Sequence, residues 1–82
     1  MNKRKLLAKA RRSPNNLRFA DFLTLMVAFG FQLDRIEGDH HIFRHPTIAV
    51  RMNVQPDDGQ AKAYQVSQLL KIVARHGLEL EE

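Results

Sequence analysis

Three of the four histidines lie close together in the sequence, at His40, His41 and His45. Imidazole is the one side chain that changes charge near neutral pH without help from its surroundings, so this cluster suggests either acid–base chemistry or a metal site. On an extended strand His41 and His45 would lie about 13 Å apart, and His40 and His41 would point to opposite faces. One ion with ligands at about 2 Å cannot join them, so the spacing favours acid–base chemistry.

The register of the strands in this region predicts which histidine faces solvent. A four-residue turn pairs Phe43 with Ile48 and buries both, whereas a three-residue turn would bury Arg44 at a large cost in free energy. We therefore expect the longer turn. It places His40 on the solvent-facing side of the sheet, opposite Arg51 and on the same side as Arg44.

A histidine beside two arginines suits phosphodiester chemistry. The imidazole can take a proton from a ribose 2′-OH or give one to a leaving oxygen, and guanidinium groups bind phosphate through paired hydrogen bonds. Lys62 and Tyr64 are further candidates for contact with RNA. The alternative interpretations are an ordinary strand histidine at His40 and a Tyr64 that caps the core.

The elements that must position these residues can be predicted from hydrophobic spacing and turn residues. The pattern predicts helices over 17–29 and 64–76, strands over 31–36, 40–44 and 48–54, and loops elsewhere. Asn16 is the expected N-cap of the first of these helices, and Gly30 and Gly77 follow the two helix ends. The predicted fold is a two-layer α+β domain in the order α-β-β-β-α, with a three-stranded antiparallel sheet and both helices on one face.

The N-terminal segment carries the positive charge of the chain. Residues 1–12 hold six basic side chains and no acidic one, whereas the remaining residues hold seven basic and nine acidic ones. Residues 3–12 have helical spacing, and the turn-forming sequence Ser13–Asn16 follows. We expect a basic helix or arm over residues 1–14 and a folded domain over residues 15–82. The arm is either a nucleic-acid contact, with Lys3, Arg4 and Lys5 among its contacts, or a solvated and partly frayed helix.

Length and composition exclude several classes of protein. With 82 residues the chain fits one small domain, and the absence of cysteine excludes disulfides, Cys-based zinc sites and thiol nucleophiles. No apolar run approaches the roughly 20 residues of a membrane span. We expect a cytoplasmic protein without a leader or a membrane contact.

The segment Gly38–Pro46 resembles the HicA family, the small toxins of HicA–HicB toxin–antitoxin pairs. The family pattern there is Gly-Ser-His, followed by two residues and an aromatic one. Further likeness lies in residues 25–31, 53–56 and 64–71, so that the resemblance covers about residues 17–80.

The resemblance implies a fold like the double-stranded-RNA-binding domain. It also implies a metal-independent, cofactor-free endoribonuclease that cleaves mRNA with His40 as its catalytic residue. A HicB-like antitoxin would be its partner, and operator DNA would be contacted only through the antitoxin complex. Arg44, Arg51 and Lys62 would then bind RNA.

One residue departs from the family pattern at its centre. Asp39 stands where the family has serine. A carboxylate there repels phosphate and favours a protonated neighbouring imidazole, although it can also orient the ring. The alternative function is therefore a non-catalytic RNA-binding or antitoxin-docking module of the same fold.

Overall fold

The computed structural model describes residues 2–81. Within these residues the elements are α1 (Lys3–Arg12), α2 (Phe19–Ala28), β1 (Gln32–Glu37), β2 (His40–Arg44), β3 (Arg51–Val54), β4 (Pro56–Asp57), β5 (Gln60–Ala61) and α3 (Ala63–His76).

The strands β1, β2 and β3 form an antiparallel sheet in sequence order. Phe43, Met52 and Val54 turn to one face of this sheet, where they join the core side chains of the three helices. The other face is open. The predicted α+β fold of the double-stranded-RNA-binding type, with its three-stranded antiparallel sheet, is therefore confirmed.

The predicted register between the second and third strands was wrong. Phe43 lies opposite Met52 rather than Ile48, and Arg51 lies opposite Arg44 rather than His40. The connection is longer than expected because β3 begins only at Arg51. Since the shift is an even number of residues, and side chains alternate with a period of two, every residue keeps its predicted face.

Helix α2 begins later than predicted, and Asn16 does not cap it. Arg18 occupies the N-cap position without a side-chain hydrogen bond. Leu17 is instead fully buried in an extended segment, whose carbonyl accepts a hydrogen bond from Ala61 N at 2.8 Å. The predicted loop over 55–63 thus contains the short β4–β5 hairpin, which fixes the start of α2.

Strand β1 is the exposed edge of the sheet. All six of its residues are solvent-accessible, including Leu33 and Ile36, and the register slips between Leu33 and Arg35. A bulge and charged side chains are common features that keep an edge strand from pairing with another sheet.

Candidate active site

The β1–β2 hairpin sets the position of His40. Its loop has two residues, Gly38 and Asp39, and Glu37 lies directly opposite His40. Gly38 has φ +61°, which suits the first central position of a type II′ turn. His40 is therefore held as the first residue of β2, immediately after a tight turn.

The ring of His40 lies on the open face of the sheet. Its neighbour His41 faces the helices instead, where its ring packs edge-on against Phe19 with centroids 5.1 Å apart. The side chain of His40 is 46% exposed, and its Nδ1 lies 3.0 Å from Oδ1 of Asn53. An amide oxygen only accepts hydrogen bonds, so the tautomer that fits this contact donates from Nδ1 and has its lone pair on Nε2. The outward orientation that we predicted for His40 is confirmed.

Asn53 is held in turn by a buried glutamine of α3. Gln65 is 4% exposed, and its Nε2 donates to the carbonyl of Asn53 at 3.2 Å. Its Oε1 accepts from the backbone N–H of Gln55 at 3.2 Å. Gln65 therefore fixes the end of β3 on both sides of Val54, and with it the residue that orients His40.

Sequence reasoning did not identify Asn53 or Gln65 as functional residues. The predicted register put Arg51 directly opposite His40, whereas the observed one pairs Asn53 with Ile42, diagonally next to His40. The sequence offered one signal for Asn53, which lies between the apolar Met52 and Val54. A polar residue between two apolar ones on a strand is expected on the open face.

Acidic groups, rather than arginines, surround the His40 ring. Nε2 lies 3.9 Å from Oδ1 of Asp39, and Glu37 faces His40 across the hairpin. Glu37 accepts a hydrogen bond from Arg35 at 3.0 Å. The His40 end of the open face thus presents carboxylates close to the imidazole.

The two predicted phosphate-binding arginines lie at the other end of this face. Arg44 and Arg51 face each other across β2 and β3, and Arg44 is four residues from His40, about 13 Å along the strand. Nη1 of Arg51 donates to Asp34 at 3.1 Å. The expected cluster of one histidine between two guanidinium groups was therefore wrong, although all three side chains share the open face.

The remaining predicted contacts lie on the helices. Lys62 is the N-cap residue of α3 and lines a shallow cavity with Asp57, Asp58 and Tyr64. Lys3, Arg4 and Lys5 form the first turn of α1.

A family model described as the HicA toxin of bacterial toxin–antitoxin systems matches residues 19–74, more than half of the chain. The chain belongs to the HicA toxin family. It is thus the toxin component of a toxin–antitoxin system. No curated protein and no solved structure matches the chain.

The other two histidines of the cluster in this HicA chain stabilise its fold. Nδ1 of His41 donates to the carbonyl of Asp39 at 3.1 Å, which supports the hairpin turn. Nε2 of His45 lies 2.9 Å from the carbonyl of Phe29, and its Nδ1 accepts from Thr47 N at 3.2 Å. His45 therefore ties the loop before β3 to the end of α2.

The described part of this HicA chain holds no group of three or more histidine, aspartate or glutamate side chains that could bind a metal ion. No helix among residues 2–81 combines the length and the apolar character that crossing a lipid bilayer requires.

Proposed function

We propose that this HicA chain is an endoribonuclease that cleaves mRNA without a metal ion, with His40 as general base and then general acid. The observation that carries the proposal is the hydrogen bond from His40 Nδ1 to Asn53. It leaves Nε2 as the nitrogen that faces solvent on the open side of the sheet. An imidazole fixed in one tautomer by a second side chain is a usual arrangement for proton transfer.

The proposed reaction begins when Nε2 takes the proton of a ribose 2′-OH. The 2′ oxygen then attacks the adjacent phosphorus, and the bond from phosphorus to the 5′ oxygen breaks. The imidazolium returns its proton to that leaving oxygen, so the products are a 2′,3′-cyclic phosphate and a 5′-hydroxyl end. The carboxylate of Asp39, 3.9 Å from Nε2, stabilises the imidazolium between the two steps.

Arg44 and Arg51 serve this reaction as binding groups for neighbouring phosphates. At about 13 Å from His40 they are too far to touch the scissile phosphate. They therefore bind neighbouring phosphates of the same strand, each of which carries one negative charge. Lys62 extends the contact, and a HicB-like antitoxin silences the toxin by covering the open face in the cytoplasm.

The direct test is cleavage of RNA by the purified chain in the presence of EDTA. We expect cleavage with cyclic-phosphate ends, and its loss in His40→Ala. The matched control is His76→Ala, because His76 is an exposed histidine at the end of α3 and has no place in the proposed reaction. Equal cleavage by the parent chain and His40→Ala would refute the proposal.

The second candidate function is an RNA-binding or antitoxin-docking module without activity, and Asp39 favours it. Its carboxylate is close enough to the free nitrogen of His40 to repel an incoming phosphate. The substitution Asp39→Ser restores the family pattern and separates the two candidates. A parent chain that binds RNA without cutting it, beside an active Asp39→Ser variant, would support the second candidate.

A further inference from the structure

We propose that α1 is a second RNA-binding surface, which holds the phosphate backbone of the substrate on the layer opposite His40. That the bound polyanion is RNA rests on the proposed function. That α1 forms a binding surface is argued from its position and its charges alone. The family match begins at Phe19, so α1 is an addition to the part of the chain that the family shares.

The added helix is docked on the domain. The side chain of Asn2 caps its first turn by accepting from Lys5 N at 2.8 Å. Leu6 and Ala10 are buried in the common core, and α1 packs against both α2 and α3. The helix is therefore docked along its length, which fixes the position of its backbone on the domain.

The solvent side of α1 is entirely free of acidic residues. Lys5, Arg11 and Arg12 are exposed, and no hydrogen bond or ion pair within residues 2–81 engages their side chains. Lys5 and Arg12 are seven residues apart, so they lie on the same side of the helix at a distance of about 10 Å along its axis. This distance lets the two side chains contact different phosphates of one strand.

Helix stability does not explain these charges. Arg11 and Arg12 lie in the last turn, where cations interact favourably with the helix dipole. Cations are unfavourable in the first turn, and α1 has no acidic residue there. Two of the three first-turn cations are engaged within the fold, since Lys3 Nζ donates to the carbonyl of Glu81 at 3.2 Å and Arg4 also has a partner. The exposed Lys5 is therefore the first-turn cation that an anionic ligand explains better than folding does.

RNA is a better occupant than a lipid surface. A helix that lies in a membrane interface inserts an apolar side into the bilayer. The apolar side of α1 is already used, because Leu6 and Ala10 are buried and Leu7 packs against the same core. What remains exposed is a set of point charges, which suits a flexible phosphate backbone.

The separation of α1 from His40 predicts a dependence on RNA length. The molecule is 20 Å across in its shortest dimension, and His40 faces away from the layer that contains α1. A strand must therefore span at least 20 Å to contact both surfaces. RNA shorter than this reaches only one of the two surfaces.

The test measures RNA binding by fluorescence anisotropy in the His40→Ala background, so that cleavage does not interfere. We expect Lys5→Gln with Arg12→Gln to weaken binding of an RNA of about 30 nucleotides by about 10- to 30-fold at roughly 0.1 M salt. The slope of log affinity against log salt should fall by about 1.4, since each lost phosphate contact contributes about 0.7. Binding of an RNA of about four nucleotides at the His40 face should not change.

The matched control removes two exposed cations from another helix, Lys71→Gln with Arg75→Gln in α3. Equal losses in both variants would mean that only total charge matters, and would overturn the proposal. Unchanged binding in the α1 variant, or tighter binding of phosphatidylserine vesicles than of RNA, would overturn it as well. A parent chain that binds in this way but does not cleave would refute only the proposed function.

Discussion

At the scale of single residues, the pair His40 and Asn53 determines which nitrogen of the ring is available for chemistry. The side-chain oxygen of Asn53 accepts a hydrogen bond from Nδ1, and the buried Gln65 holds the backbone of Asn53 in place. The orientation of one exposed ring thus depends on a buried amide that belongs to a different element.

Replacement of Asn53 should affect the rate of RNA cleavage more than substrate affinity. In Asn53→Ala the ring loses its fixed tautomer, and we expect kcat to fall about 10- to 100-fold with little change in KM. Asn53→Asp keeps an acceptor and should restore much of the rate. Its optimum should move to higher pH, because a carboxylate favours the protonated ring. A pH profile of Asn53→Asp identical to that of the parent would argue against the positioning role.

Replacement of Gln65 should lower the stability of the whole chain. Gln65→Leu leaves the carbonyl of Asn53 and the N–H of Gln55 without partners, and we expect the free energy of unfolding to fall by about 2–3 kcal/mol. Gln68→Leu, on the exposed side of the same helix, is the control and should change it by less than about 0.5 kcal/mol. Urea denaturation measures the free energy of unfolding of both variants, and equal losses would contradict the role of Gln65 in holding the end of β3.

The sequence was sufficient to predict that His40 faces outward. A register error of an even number of residues leaves every side chain of a strand on the same face of the sheet. It was not sufficient to predict the contact with Asn53. Asn53 is diagonal to His40 in the predicted register as well as in the observed one. The hydrogen bond depends on the conformations of the two side chains, which strand alternation does not specify.

At the scale of elements, two glycines with positive φ have different roles. Gly38 has φ +61° and open space around the position of a Cβ, so its backbone conformation, rather than lack of space, favours glycine there. Gly30 has φ +93°, and a Cβ there would lie 2.8 Å from Nε2 of His45. Gly30 thus serves both the turn after α2 and the attachment of the loop before β3.

These roles predict an order of stabilities. Gly38→Ala should cost about 1–2 kcal/mol, the usual penalty for the left-handed conformation. Gly30→Ala should cost more, because the methyl group also displaces His45 from the carbonyl of Phe29 and leaves that carbonyl unpaired. Thermal unfolding of the two variants measures the difference, and an equal loss would show that the His45 contact contributes little.

The existence of α1, α2 and α3 followed from helical periodicity, and α1 has the bounds that this periodicity predicted. The start of α2 did not follow, because the buried Leu17 pairs with the backbone of Ala61 rather than continuing the helix. A short hairpin with only two residues in each strand has too little sequence to show a period.

At the scale of the whole molecule, α1 is an integral part of one cooperative core. Leu6 is 2% exposed and lies in the same cluster as Phe22 and Leu69. The helical layer therefore has three members, although the family match covers only two of them. The added helix contributes to stability as well as to the charge of the surface.

Truncation of Leu6 should therefore destabilise the entire chain. Leu6→Ala should lower the free energy of unfolding by about 2–5 kcal/mol, the usual cost of such a cavity, and the half-buried Leu7→Ala should cost less. Hydrogen exchange of amides in β2 should accelerate along with that of α1. A separate early transition confined to α1 would show that the helix is an independent attachment.

The link from Gln65 to Asn53 to His40 has a consequence for the time at which a ribosome-bound chain acquires its proposed activity. The hairpin that carries His40 emerges first, but the two amides that orient the ring are encoded 13 and 25 positions later. A nascent toxin therefore displays an unaligned imidazole until nearly the last helix has left the exit tunnel.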